Sequence, residues 1–197
     1  ISNKGKLIGE KILQKRKEYQ LNPAKNSWRL ISPVNSKNNI DKNYNKKAYA
    51  LGKKWANESI NQEAIIYKAE KFFKEGGYEY SMNPGLMNKN APYDDFLFNK
   101  KSGFCEHFAG SFTLLMNHAN IPARVVVGYQ GGEELKNSED KNYLLIDNSY
   151  VHAWSEVWIK GKGWIRIDPT LWIAPERIQY SLLLTENKFI LQKNTSE

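Results

Sequence analysis

The spacing of apolar residues changes character along this chain at Pro122, and that change limits the folds open to it. Before Pro122 the spacing is helical. Cys105, Phe108, Ala109, Phe112, Leu115, Met116 and Ala119 mark a single buried face. Ser102 is the expected N-cap of that helix. Its end is expected near Asn120, because Pro122 disfavours helical geometry in the residue before it. Two earlier segments, 46–58 with Ala48, Leu51 and Trp55, and 61–75 with Ala64, Ile65, Phe72 and Phe73, also read as helices, and Gly76-Gly77 ends the second. After Pro122 the residues are β-branched or aromatic. Segments 124–129, 143–146, 151–159 and 164–167 read as strands, the last two joined by a hairpin loop at Lys160-Gly161-Lys162-Gly163. Gly131-Gly132 breaks the first of these strands, and 136–141 reads as a charged loop. Residues 78–81 suit a short strand, Asn83-Pro84-Gly85 a turn, and the stretch to Pro92 a loop. Helices followed by an antiparallel sheet define an α+β fold.

The 197 residues suit one domain with appended segments. Residues 1–45 are rich in Lys, Asn and Ser and read as an irregular or extended arm, with a short amphipathic helix around Leu7-Ile8 and Ile12-Leu13. The folded domain is expected over 46–178. A further helix is expected to start at Ala174-Pro175-Glu176-Arg177, with proline in its first turn. Residues 179–197 then form a C-terminal helix or linker.

The net charge is +8, mostly from lysine. The lysines are scattered, as at Lys46-Lys47, Lys53-Lys54 and Lys100-Lys101, and only five arginines occur. This describes a solvated surface. It does not describe a nucleic-acid stripe, so no nucleic-acid partner is expected. No apolar stretch approaches the roughly 20 residues that span a bilayer. The chain starts at Ile1 rather than methionine, which reads as a fragment or processed form. With one cysteine no internal disulfide forms. No clustered Cys/His ligands and no acidic calcium loop are apparent, so neither a metal nor a cofactor is expected.

Three residues carry candidate chemistry. Cys105 taken alone reads as a small buried hydrophobe. Its place at the first turn of a helix argues otherwise, because the macrodipole there favours a thiolate. Lys100 and Lys101 offer further positive potential, and Gly103 either leaves room for substrate or serves the turn. His107 and His118 lie eleven residues apart on a helix face away from Cys105 and read as surface or satisfied polar residues. His152 lies on a strand, on the same face as Trp154 and Trp158. That setting suits a sheltered base and a packed core residue equally. Asp168 ends a strand before Pro169-Thr170, where an aspartate forms a turn or orients a base. A nucleophile, a base and an orienting acid are the parts of a thiol acyl-transfer site. One difficulty stands. A hairpin closed at Gly161-Lys162 sets Asp168 opposite Ser155, and at about 3.3 Å per residue that misses His152 by roughly 10 Å. A bulge or strong twist is then required.

The segments Gly103-Phe104-Cys105-Glu106-His107-Phe108-Ala109, Asn120-Ile121-Pro122-Ala123-Arg124-Val125-Val126-Val127-Gly128-Tyr129, His152-Ala153-Trp154-Ser155-Glu156-Val157-Trp158 and Gly163-Trp164-Ile165-Arg166-Ile167-Asp168-Pro169-Thr170 resemble the transglutaminase-like superfamily. The order Cys, His, Asp matches as well. Asp94-Asp95-Phe96-Leu97-Phe98, Tyr129-Gln130-Gly131-Gly132-Glu133 and Ala174-Pro175-Glu176-Arg177-Ile178 resemble its bacterial membrane-anchored branch, multi-pass inner-membrane proteins with a periplasmic transglutaminase-like domain. The resemblance covers roughly 46–178 and is weak over the first 45 residues.

That resemblance implies a papain-like transglutaminase core, with the nucleophile at a helix N-terminus packed on an antiparallel sheet. It implies Cys105, His152 and Asp168 as a catalytic triad acting on protein glutamine, by isopeptide crosslinking to an amine or by deamidation. It also implies a periplasmic location, with 179–197 leading toward a membrane segment outside this chain. The backbone N–H of Cys105 can serve as one oxyanion donor. Two rival readings stand beside it: a cysteine peptidase or amidase acting on peptides or cell-wall crosslinks, and a non-catalytic domain that binds peptide or glycan in the same cleft. Of the remaining residues, Trp154, Trp158, Trp164 and Trp172 read mostly as core, with Trp154 also suited to wall the site. Arg124 and Arg166 are expected to pair with a buried carboxylate from Glu106 or Glu156. Asp94-Asp95 are expected to cap a turn or the helix ahead.

Overall fold

The computed structural model describes residues 43–136, 140 and 142–176. The expected arm up to residue 42 and the expected segment 179–197 lie outside the described residues. Among the described residues four helices and seven strands follow in order: α1 Lys46–Glu58, α2 Gln62–Glu75, β1 Glu79–Tyr80, α3 Pro92–Asp95 running into a π-helical turn Phe96–Lys100, β2 Ser102–Gly103, α4 Cys105–His118, β3 Ala123–Tyr129, β4 Glu133–Lys136, β5 Asn142–Leu145, β6 Val151–Ile159 and β7 Gly163–Ile167. The α+β reading holds. The main sheet is antiparallel in the order β3-β6-β7, and the helices precede it in the chain.

Helix α4 is the axis of the molecule. A single buried face was expected, but residues Phe108 to Met116 are buried all round. The reason is tertiary: β6 packs on one side of the helix and α1 on another. Small and hydroxyl side chains make this possible. Ser155 Oγ donates to the Ala109 carbonyl at 3.0 Å and meets Thr113 Oγ1 at 3.0 Å, so the helix and the central strand are joined by polar contacts inside the core. On the α1 side, a Cβ on Gly52 would lie 2.6 Å from His118 Cβ, so only glycine allows this approach. The end of α4 is a Schellman arrangement. Asn120 adopts φ 60°, and Ile121 N–H and Asn120 N–H return to the carbonyls of Met116 and Asn117.

Aromatic packing surrounds the first half of α4. The Phe108 ring meets Phe96 edge-on at 5.1 Å and Phe73 at 6.0 Å, and Phe112 meets Trp172 at 5.4 Å. Each such buried ring stabilises the fold by about 1.5–3 kcal/mol through area removed from water.

Several local expectations change. Ser102 does not cap α4. It pairs in parallel with Glu79, and α4 starts after Phe104 in extended geometry. Gly103 serves packing rather than substrate, since a Cβ there would lie 2.8 Å from both His107 Cβ and the Phe96 ring. Residues 92–100 are helical. Asp94, on that turn, caps a helix 46 residues behind it rather than one ahead. Its carboxylate accepts from Lys47 N–H at 2.9 Å and Ala48 N–H at 2.8 Å. Asn45 returns the contact, its Oδ1 accepting from Tyr93 and Asp94 N–H. Glu133–Lys136 forms a strand against Asn142–Leu145, where only the second strand was expected. Pro175 and Glu176 are helical, as read, and the residues after them lie outside the described residues.

Candidate active site

The β6–β7 hairpin decides where Asp168 stands. Ile159 pairs with Gly163, and the register runs without a bulge to Ser155 opposite Ile167. The loop therefore has three residues, Lys160, Gly161 and Lys162. Lys162 N–H closes it on the Ile159 carbonyl at 3.0 Å, and Gly161 takes φ 82° at the turn position that favours glycine. Continued by one residue, this register sets Asp168 opposite Trp154 rather than Ser155. That is a change of face, because side chains alternate along a strand. His152 is two residues from Trp154 on the same face, so Asp168 becomes its diagonal neighbour. No bulge or extra twist is needed, and the expected gap does not exist.

The two side chains meet. His152 Nε2 and Asp168 Oδ2 are 2.7 Å apart, and the side chains are 11% and 2% exposed. The other carboxylate oxygen accepts from Thr170 N–H at 3.2 Å. Asp168 is thus the N-terminal residue of the 3-10 turn Pro169–Trp172, and its side chain both orients the histidine and caps that turn. Cys105, at the start of α4, also influences His152. Burial, the largest single influence, pushes the His152 pKa down. It is outweighed by the influence of Asp168, whose carboxylate accepts from the imidazole, and of Cys105, which together raise the value to about 9. With Nε2 on Asp168, Nδ1 is the nitrogen left for Cys105.

Of the three residues, His152 and Asp168 are in direct contact, and Cys105 influences the same imidazole. Cys105 is the first residue of α4 and partly exposed, at the end of the helix where the dipole is positive. Helix geometry leaves its N–H without an intrahelical partner, and the first backbone bonds come from His107 and Phe108 to the Phe104 carbonyl. The ammonium groups of Lys100 and Lys101 bond the Leu86 and Gly76 carbonyls. His107 packs against Phe104 at 4.4 Å and Phe96 at 5.6 Å, and His118 packs edge-on to Tyr49 at 5.1 Å. Burial lowers the pKa of both.

One residue beside the site is not evident from the sequence. Arg166 was matched to Glu106 or Glu156, but Glu156 pairs with Arg124, and Glu106 is exposed. Arg166 Nη2 instead lies 3.3 Å from Asp168 Oδ2 and 3.1 Å from Gln130 Oε1. Its guanidinium covers Trp154 at 4.4 Å, and Trp154 stacks on His152 at 6.2 Å. Gly128, directly opposite His152 on β3, makes room for that indole, since a Cβ there would lie 2.8 Å from the ring. The signal for Arg166 was its i, i+2 spacing to Asp168, which puts both on one face of β7. Among the described residues no group of three or more His, Cys, Asp or Glu side chains is arranged to hold a metal.

A family profile described as transglutaminase-like superfamily matches residues 47–169, more than half of the chain. The chain belongs to the transglutaminase-like superfamily. It is similar to a protein-glutamine gamma-glutamyltransferase of Pseudomonas aeruginosa, 38% identical over 138 residues, which is 70% of this chain and 20% of that protein. It is 32% identical over 109 residues to an uncharacterized protein, YebA, of Bacillus subtilis, covering 53% of this chain and 15% of the other. The crystal structure of the periplasmic domain of TgpA from Pseudomonas aeruginosa superposes with a TM-score of 0.64 at 38% identity, covering 71% of this chain and 47% of that domain. The same domain bound to ethylmercury gives a TM-score of 0.62 over 68% and 46%. This transglutaminase-like chain therefore spans about a fifth or less of the curated relatives and under half of the solved domain.

Proposed function

We propose that this chain carries the catalytic domain of a cysteine acyltransferase that acts on protein glutamine, with Cys105 as nucleophile, His152 as base and Asp168 as the acid that orients the base. The observation that carries the reading is the buried His152–Asp168 contact of 2.7 Å, with Cys105, at the start of α4, among the groups that raise the pKa of the same imidazole. The likeness to a protein-glutamine gamma-glutamyltransferase supports the choice of substrate class.

In the proposed reaction the proton of Cys105 passes to His152 and the thiolate attacks the γ-carboxamide carbon of a substrate glutamine. The tetrahedral oxyanion forms beside the helix N-terminus, where the Cys105 N–H can donate to it. His152 returns the proton to the leaving nitrogen, ammonia departs, and a thioester remains. A lysine amine then attacks the thioester, losing a proton to His152, and an isopeptide bond forms as the thiol is restored. Water in place of the amine yields glutamate. A raised His152 pKa suits the first half of this cycle, since an imidazolium beside the sulfur holds the proton that the ammonia will take.

The partners in this reading are a protein or peptide that donates glutamine and an amine acceptor. The proposed location is periplasmic, as part of a larger inner-membrane protein. It is supported by the likeness to the periplasmic domain of TgpA. Among the described residues no helix is long and apolar enough to cross a membrane.

The test is incorporation of a fluorescent primary amine into casein by the wild type and by Cys105→Ala. Labelling that needs Cys105 is expected. Labelling that persists in the variant would sink the proposal. Ammonia release without amine incorporation would assign deamidation, with water as the acceptor, and new peptide termini without ammonia would assign the peptidase alternative. A Cys105 inert to iodoacetamide at neutral pH would instead favour a binding domain.

A further inference from the structure

The residues around Asp168 form a layered arrangement that the proposed triad does not account for. Arg166 and Asp168 share one face of β7. The guanidinium Nη2 reaches the same carboxylate oxygen, Oδ2, that meets His152 Nε2. The same nitrogen bonds Gln130 Oε1 at 3.1 Å, just beyond the end of β3. The guanidinium plane lies on Trp154, the residue that sits opposite Asp168 and stacks on His152 with an interplanar angle of 24°. Arg166 therefore touches the carboxylate directly and the imidazole through the indole. Its side chain is 49% exposed, whereas that of Asp168 is 2% exposed. It closes the outer side of the buried pair.

We propose that Arg166 is a positioning residue for the His152–Asp168 pair: it holds Asp168 by the oxygen that faces His152, clamps Trp154 against the imidazole, and is itself tethered by Gln130. The inference rests on the proposed roles of Cys105, His152 and Asp168. A planar guanidinium suits this task because one group bonds two acceptors and stacks at once, which an ammonium does not do. Without it, Asp168 keeps its bond from Thr170 N–H but loses the restraint on Oδ2, and Trp154 loses one of the groups that fix its plane. Small misplacements of a reacting group are costly in rate.

Arg166 also has an electrostatic signature. Around His152 are Cys105 from α4 and Asp168 just after β7, with Arg166 of β7 beyond Asp168, while β3 presents Gly128. Farther along the same face Arg124 and Glu156 are paired with each other. Arg166 is thus the cation on that face that shares the carboxylate with His152. Removing it leaves Asp168 to the imidazolium alone, so His152 should hold its proton to higher pH.

The experiment compares wild type, Arg166→Met and Arg166→Lys by three readouts: imidazole NMR titration of His152, the rate of Cys105 alkylation by iodoacetamide at pH 7, and thermal melting. The first two need no protein substrate, so they test this inference even if amine incorporation fails. In Arg166→Met the His152 midpoint is expected to rise and alkylation to slow by about ten-fold, within the range that misplaced groups cost. In Arg166→Lys the midpoint is expected to stay near that of wild type while alkylation still slows, because charge is kept and the planar clamp is lost. An unmoved midpoint in a folded Arg166→Met overturns the inference. Should that variant fail to fold, wild-type alkylation in Arg166→Lys overturns it instead, and slowed alkylation with an unmoved midpoint supports it.

Discussion

His152 and Asp168 meet at 2.7 Å because the turn between their strands has three residues, not two. A two-residue turn would put Asp168 on the other face of the sheet, since one step of register reverses every side chain. Gly161, with φ 82°, makes the longer turn possible, and Gly163 at φ 82° opens β7. The proposed chemistry therefore depends on a loop at the far end of the hairpin from the site.

Loss of the Asp168 charge should be visible in both rate and pH. Asp168→Asn keeps the shape of the side chain but removes a charge that raises the His152 pKa. Amine incorporation is expected to fall by at least about 100-fold, the scale of general acid–base catalysis. The His152 midpoint, read by NMR, is expected to move down from about 9. Wild-type turnover in the variant would remove Asp168 from the mechanism.

The pH dependence of activity and of stability should share one limb. The folded state favours protonated His152, raising its pKa from 6.5 to about 9. Its contribution to stability is full below pH 6.5, declines as pH rises, and is lost above about 9. Urea unfolding between pH 6 and 10 should show this decline in wild type and a flatter curve in His152→Gln. The kcat profile should fall on the alkaline side near the same value.

Gly128 should matter for rate more than for fold. A methyl group there would meet the Trp154 ring at 2.8 Å and displace it from its place between the guanidinium and imidazole contacts. Gly128→Ala is expected to slow Cys105 alkylation and amine incorporation several-fold, with little change in melting temperature. Unchanged kinetics would show that the indole does not hold the imidazole.

Asp94 offers the opposite case. Its carboxylate caps α1 through two backbone N–H bonds at 2.8 and 2.9 Å. Asp94→Ala is expected to cost about 1–2 kcal/mol of stability by urea unfolding, as for other lost N-caps. The kcat at a temperature where the variant stays folded should be that of wild type.

Much of this molecule is local in origin and was legible for that reason. Helices α1, α2 and α4 and strands β3, β6 and β7 follow from apolar spacing and from Gly and Pro at their ends. The placement of Cys105 at a helix N-terminus follows from the same pattern. What escaped was set by distant partners. Strand β4 is polar on paper and pairs only because β5 lies beside it. The cap on α1 comes from Asp94, which no window around residue 46 contains. The full burial of α4 needed α1 and β6 on different sides, although its pattern marked one face.

The site divides in the same way. Residue type, order and spacing in the sequence determined that a thiol, an imidazole and a carboxylate were available on a helix start and two neighbouring strands. Whether they met was a matter of register and of who else held the carboxylate. One residue of turn length chose the face of Asp168, and Arg166 turned to Asp168 because Arg124 already occupied Glu156. Periodicity is a property of neighbours along the chain, whereas pairing partners compete across it, and only the folded structure decides that competition.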